Sequence, residues 1–137
     1  MLFSIAYRGD AGGASADYNE LRSQESMISI IVPCYNEQEA LPFFHEEVSR
    51  VLKEIGEDYE LLFVNDGSKD DTLKELKALS TKDPHVIYLS FSRNFGKEAA
   101  MYAGFCNAKG DYIAVMDADL QDPPALLPEM LKMLETD

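Results

Sequence analysis

The segment "YIAVMDADLQDPP", residues 112–124, carries an apolar run into three carboxylates within six positions, Asp117, Asp119 and Asp122. Like charges held this close repel and resist desolvation, so the cluster costs stability unless a cation sits among them. A divalent metal is the chemistry that fits. Mg2+ and Mn2+ prefer oxygen ligands and commonly share them between one or two carboxylates and substrate phosphates. Asp119 with help from its neighbours is therefore a candidate ligand, and the open coordination positions would go to a diphosphate. The chain already carries a formal net charge of −13, from 25 acids against 12 bases, which sharpens the need for a counter-charge.

Four such polar segments each follow an apolar, β-rich run: "PCYNE", "NDGSKDD", "SRNFGKE" and "DADLQDPP". The runs are "ISIIVPCY" (28–35), "YELLFVND" (59–66), "HVIYLSFS" (85–92) and "YIAVMD" (112–117). Their near-continuous apolar character predicts strands covered on both faces. Between them, helical spacing predicts helices over 37–55, 68–80, 97–108 and 124–135. Pro42 points to a later start for the first, and Ser68 with Asp71 resembles a capping box opening the second. Four βα units in a row predict a doubly wound, mostly parallel α/β sheet. In such sheets ligands bind at the carboxyl ends of the strands, where the polar segments lie. Loops are polar everywhere, and turn formation alone accounts for many Asp, Asn and Gly residues taken singly. Their convergence on one edge is what points to a site.

Composition narrows the function. At 137 residues with 46% hydrophobic and 27% charged residues, the chain suits one soluble globular domain. No apolar run reaches the roughly 18 residues of a membrane span. The acidic balance disfavours nucleic acid as a partner, because phosphate-backbone binding needs clustered Lys and Arg. Cys34 and Cys106 are far apart without metal-ligand spacing, which favours a reducing, cytoplasmic setting and packing roles for both. His45 and His85 lie away from the strand ends and read as surface or packing residues, and Met130 and Met133 as core. Residues 1–26, rich in Gly, Ala, Ser and Asp without a sustained period, read as a flexible leader before an ordered domain over 27–137. Neither a Gly-rich dinucleotide turn nor a G-x-x-x-x-G-K-[ST] loop is present, so any nucleotide phosphates need another device, which the metal supplies.

The four segments "IVPCYNEQEAL", "VNDGSKDDT", "RNFGKEAA" and "DADLQDPP" resemble, in order, the motifs of family 2 glycosyltransferases. The resemblance is to the polyprenyl-phosphate branch, which includes dolichol-phosphate mannose synthases and bactoprenol glucosyltransferases, and it runs from about Ile28 to the C-terminus. It implies a GT-A fold, with a Rossmann-like nucleotide-binding half, and inverting transfer from a nucleotide-diphosphate sugar to a polyprenyl phosphate. By the same resemblance Pro33, Tyr35 and Glu37 line the nucleoside pocket, with Asp66, Gly67 and Ser68 completing its wall. Asp117 faces the ribose or sugar diphosphate, and Asp119 and Gln121 hold Mg2+ or Mn2+. The residue types suit these roles: Tyr35 offers an aromatic face, Asp66 an acceptor for a base N–H, and Gly67 close backbone approach. Ser68 has a second reading as a helix cap, and Asp122 one as the start of the fourth helix. Arg93 and Lys97 are the cations of this edge, placed to meet the donor diphosphate or the acceptor phosphate. Lys97 also suits a solvated first helical turn.

Relatives of this branch continue through an acceptor-binding half and helices at the cytoplasmic face of the membrane. The chain therefore reads as the truncated donor-binding part, expected to bind nucleotide and metal and to transfer sugar poorly alone, with an uncovered sheet edge favouring a homo-oligomer. The "RNFGKEAA" segment leans toward UDP-glucose, with GDP-mannose open. A non-catalytic nucleotide-binding or assembly fragment is the alternative. Two other Mg2+-dependent classes fit badly. A haloacid-dehalogenase-type phosphatase carries its D-x-D after the first strand, and a receiver module has its acidic pair there, where this chain has Asn36 and Glu37.

Overall fold

The computed structural model describes residues 4–7, 26–121 and 123–135. In chain order the elements are β1 (Ser4–Tyr7), β2 (Met27–Cys34), α1 (Leu41–Ile55), β3 (Asp58–Asn65), α2 (Thr72–Lys82), β4 (Val86–Ser90), α3 (Lys97–Asn107), β5 (Tyr112–Val115), a 3-10 turn (Pro124–Leu126) and α4 (Leu127–Glu135). The four expected βα units are all present. They build one five-stranded sheet in the order β1-β5-β2-β3-β4.

β2 pairs in parallel with β3 and β5, and β3 with β4. The chain lays down β2, β3 and β4 in one direction and then returns to place β5 on the other side of β2. The order thus reverses between β2 and β5, and their carboxyl ends diverge into a crevice. β1 corrects the reading of residues 1–26 as a flexible leader at four positions. It pairs antiparallel with β5, from Ser4 opposite Val115 to Tyr7 opposite Tyr112. Four residues are too short for hydrophobic period to announce a strand; the ladder offered by β5 decides the conformation. The rest of 1–25 lies outside the described residues.

Both faces of β2 and β3 are buried, as their continuous apolar sequences require. On one face Ile28, Ile30, Val32, Leu61 and Phe63 pack against Leu41, Phe44 and Val48 of α1, Leu76 of α2 and Leu127 of α4. Phe44 meets Phe63 edge to face with ring centres 5.9 Å apart. On the other face Ile31, Leu62, Ile113 and Val115 lie beneath α3. A Cβ on Gly104 would come 2.4 Å from Ile31 Cγ2, so the glycine sets how closely α3 approaches the sheet. A buried polar link fixes β5 beside β2. Ser29 Oγ donates to Glu60 Oε2 at 2.6 Å and accepts from Gly110 N at 2.8 Å, while Lys109 N donates to the same Glu60 oxygen at 2.7 Å.

Several boundaries move for identifiable reasons. α1 begins at Leu41 with Pro42 in its first turn, where a missing N–H costs nothing, and ends at Gly56 with φ 82°. α2 begins at Thr72, and the Ser68/Asp71 capping box is not formed: Thr72 N is satisfied by Asp70 Oδ1 at 2.9 Å. α4 is preceded by the 3-10 turn, and Asp122, read as helix start or metal ligand, lies outside the described residues. Cys106 on α3 and Met133 on α4 are exposed, which corrects their reading as packing and core residues; Cys34 is buried, and Met130 packs against the core. Among the described residues no helix is long and apolar enough to cross a membrane.

Candidate active site

The crevice at the switch point is a cleft of about 320 Å3. The end of β2 and the segment after it bring Pro33, Tyr35 and Glu37 to it, the segment after β3 brings Asp66, the first turn of α3 brings Lys97, and the segment after β5 brings Asp117, Asp119 and Gln121. Four separate strand ends therefore meet in one concavity. Gly67, Ser68 and Arg93 stand outside its lining.

Those three residues act on the walls rather than in the cleft. Gly67 adopts φ 65°, and a Cβ there would lie 2.1 Å from the Arg93 carbonyl carbon and 2.3 Å from Asn94 N. The close approach that needs glycine is that of the 93–94 backbone. Ser68 Oγ accepts from Asn36 N at 2.9 Å, one of a set of bonds clamping the loop after β2 to the loop after β3. Asn36, at φ 53°, accepts from Lys69 N at 2.8 Å; Glu37 N donates to Thr72 Oγ1 at 2.9 Å; Asp71 N donates to Gln38 Oε1 at 2.9 Å. The clamp fixes the backbone that carries Tyr35 and Glu37. Arg93 lies with its guanidinium carbon 4.6 Å from the centre of the Phe95 ring.

Asp66, almost wholly buried, has a role that sequence reasoning missed. Its Oδ1 accepts from Phe95 N at 2.7 Å, its Oδ2 from Gly96 N at 3.1 Å and from Asn94 Nδ2 at 3.2 Å. A carboxylate taking several N–H bonds is a strong anchor. Here it pins the loop that delivers Lys97, whose Nζ lies 2.6 Å from Asp117 Oδ1. Lys97 stays exposed in the first helical turn, as expected, and is in addition ion-paired with Asp117, a contact that sequence distance conceals because the partners are 20 residues apart.

Opposite this pair the acids are less well matched. Burial pushes the Glu37 carboxyl above its ordinary range, and the charges of Asp119, Asp117 and Asp70 push it further. Burial likewise pushes the Cys34 thiol well up, Glu37 adding to it, so Cys34 is an inert wall. Asp119 and Gln121 face solvent across the mouth, joined by a long bond from Gln121 N to Asp119 Oδ1 at 3.3 Å. Leu120 between them takes φ 58°, which a branched side chain disfavours, and its packing against the core holds the turn in place.

The donor set suits a hard divalent cation: carboxylate and amide oxygens, in a cleft whose acids repel one another. Among the described residues no three His, Cys, Asp or Glu side chains are grouped to hold a metal unaided.

Fold and site define a doubly wound α/β protein with an acidic cleft at its switch point. The chain belongs to glycosyl transferase family 2, whose match covers residues 29–137. It is 46% identical over 105 residues to the prophage bactoprenol glucosyl transferase homolog of Escherichia coli K12, covering 77% of this chain and 34% of that protein. It is 40% identical over 109 residues to the undecaprenyl-phosphate 4-deoxy-4-formamido-L-arabinose transferase of Proteus mirabilis, covering 79% and 33%. The chain thus spans about a third of the length of these curated relatives. The glucosyl-3-phosphoglycerate synthase of Mycobacterium tuberculosis, solved with Mn2+, uridine diphosphate and phosphoglyceric acid, shares the fold. Its TM-score is 0.65 at 21% identity, over 91% of this chain and 44% of that one.

Proposed function

We propose that this chain is the donor-binding part of an inverting glycosyltransferase that binds a nucleoside-diphosphate sugar together with Mg2+ or Mn2+ for transfer to a polyprenyl phosphate. The observation that carries the reading is the meeting of Glu37, Asp117 and Asp119 with the aromatic face of Tyr35 in one cleft at the β2/β5 switch point. The names of the relatives support the lipid phosphate acceptor, and the Mn2+ and uridine diphosphate of the synthase support the donor class.

In this reading Tyr35 and Pro33 receive the nucleoside, and Asp119 with Gln121 holds the cation, which supplies neutralisation of the diphosphate charge. Lys97 provides a second positive charge for the departing diphosphate. The acceptor oxygen forms its bond to the anomeric carbon from the face opposite the breaking bond to the donor phosphate. A phosphate monoester is largely ionised at neutral pH, its second pKa being about 6, so no side chain has to take a proton from it. The glucose or mannose identity of the sugar turns on contacts made elsewhere, and the "RNFGKEAA" segment favours UDP-glucose.

Calorimetric titration of UDP, GDP and their sugars in Mn2+, repeated with Asp119→Ala, tests the reading. Metal-dependent binding of one nucleotide series that is lost in the variant is expected. Absence of binding across all four ligands would overturn it.

A further inference from the structure

The cleft holds more negative charge than it neutralises, yet one of its acids is already paired. Lys97 Nζ lies 2.6 Å from Asp117 Oδ1, and Lys97 is the one basic side chain among the described residues that line the cleft. Lys97 is not placed there by its own helix alone. Its preceding residues Phe95 and Gly96 donate to buried Asp66, and Gly67 lets the 93–94 backbone pass within contact of β3's end. Gly96 itself sits at φ 105°, a conformation that turns the chain from this anchored loop straight into α3. The machinery spent on aiming one lysine exceeds what a solvated first turn needs.

We infer that Lys97 and a divalent cation compete for Asp117, and that an incoming diphosphate resolves the competition by taking Lys97 as its own partner. This deepens the proposed function and rests on it. A carboxylate held by an ammonium attracts a second cation more weakly, because the pair is already close to neutral. A diphosphate offers the ammonium a denser anion and frees the charge of Asp117 to act on the cation held by Asp119 and Gln121. Metal alone is thereby discouraged, and metal with nucleotide is favoured. The lysine makes the two ligands bind together, with Asp66 acting as the positioning residue behind it.

The consequence is a pair of effects of opposite sign from one substitution. In Lys97→Met, which keeps the aliphatic stem, affinity for Mn2+ alone rises about three- to fivefold, the range an exposed ion pair allows. Affinity for UDP or GDP in saturating Mn2+ falls, by roughly tenfold, through loss of a charge-assisted contact to phosphate. Lys97→Arg, which keeps the charge, leaves both closer to the parent. Mn2+ affinity is read by electron paramagnetic resonance of the free ion, and nucleotide affinity by calorimetry. If the parent binds Mn2+ and nucleotide but Lys97→Met moves both affinities in the same direction, or neither, the competition is overturned while the donor site stands. If the parent binds neither, donor site and competition fall together. A folding control comes from the melting temperature, which for a substitution this exposed stays within a few degrees of the parent.

Discussion

The two ends of the parallel sheet handle carboxylates in opposite ways. At the carboxyl edge, Glu37, Asp117 and Asp119 share one cleft, and Glu37 is driven up by burial and by its acidic neighbours. At the amino edge, Asp83 is also penalised by burial. The bonds it accepts outweigh that penalty and hold it below its ordinary range. Its Oδ1 takes His85 N at 2.9 Å and lies 2.9 Å from His85 Nδ1, and its Oδ2 lies 2.7 Å from His45 Nε2. The His85 ring stacks on Tyr59 with centres 3.9 Å apart. The amino edge satisfies its acid within the protein; at the carboxyl edge Asp66 and Asp117 have partners, while Glu37 stays pressed by its acidic neighbours. Under the proposed function that contrast separates a residue cluster kept for the fold from one kept for a ligand.

Substitutions at the two edges should therefore differ in which property they lose. The largest effect is expected from Asp119→Ala, which should weaken Mn2+-dependent nucleotide binding by at least about a hundredfold, since even residues behind a metal ligand cost 10- to 100-fold. Its stability should stay within about 0.5 kcal/mol of the parent in urea unfolding, because an exposed like charge is removed. Asp83→Asn should do the reverse, losing about 1–3 kcal/mol by leaving partners of a part-buried carboxylate poorly satisfied, with nucleotide binding unchanged. Equal losses of stability in both variants would erase the contrast.

The pH dependence sharpens it further. Glu37 has a raised folded value, so its contribution to stability is present at low pH and is lost as pH rises through that folded value. Asp83 has a lowered folded value, so its contribution is present above the unfolded carboxylate range near about 3.9 and is lost as pH falls through the folded value. Going from neutral to mildly acidic pH, the urea midpoint should rise slightly in the parent and stay flatter in Glu37→Gln. Below about pH 4 it should fall more steeply in the parent than in Asp83→Asn. Parallel profiles for all three proteins would count against the assignment.

The fold was largely legible in the sequence because each parallel strand is a double-faced apolar run and each crossover has helical period. The cleft was legible because four polar segments each close a strand. What stayed hidden depends on contacts that no local pattern encodes. Asp66 and Gly67 read as pocket residues by type, yet the first anchors the 94–96 loop and the second admits the 93–94 backbone, choices made by how β3 and α3 meet. Ser68 looked like a cap from spacing alone, but the Asn36 N–H reached its hydroxyl from another strand end. Lys97 and Asp117 pair across two elements, and β1 exists because β5 offers it an edge.

The account depends on where a divalent cation sits. Titrating Mn2+ with UDP or GDP into isotopically labelled protein and following paramagnetic broadening of amide resonances addresses this directly. Selective loss of signal at Glu37 and at Asp117 through Gln121, with the resonances of Asp83 and His85 retained, is the predicted result. Broadening centred on Asp83, or spread evenly over the acidic surface, would contradict it.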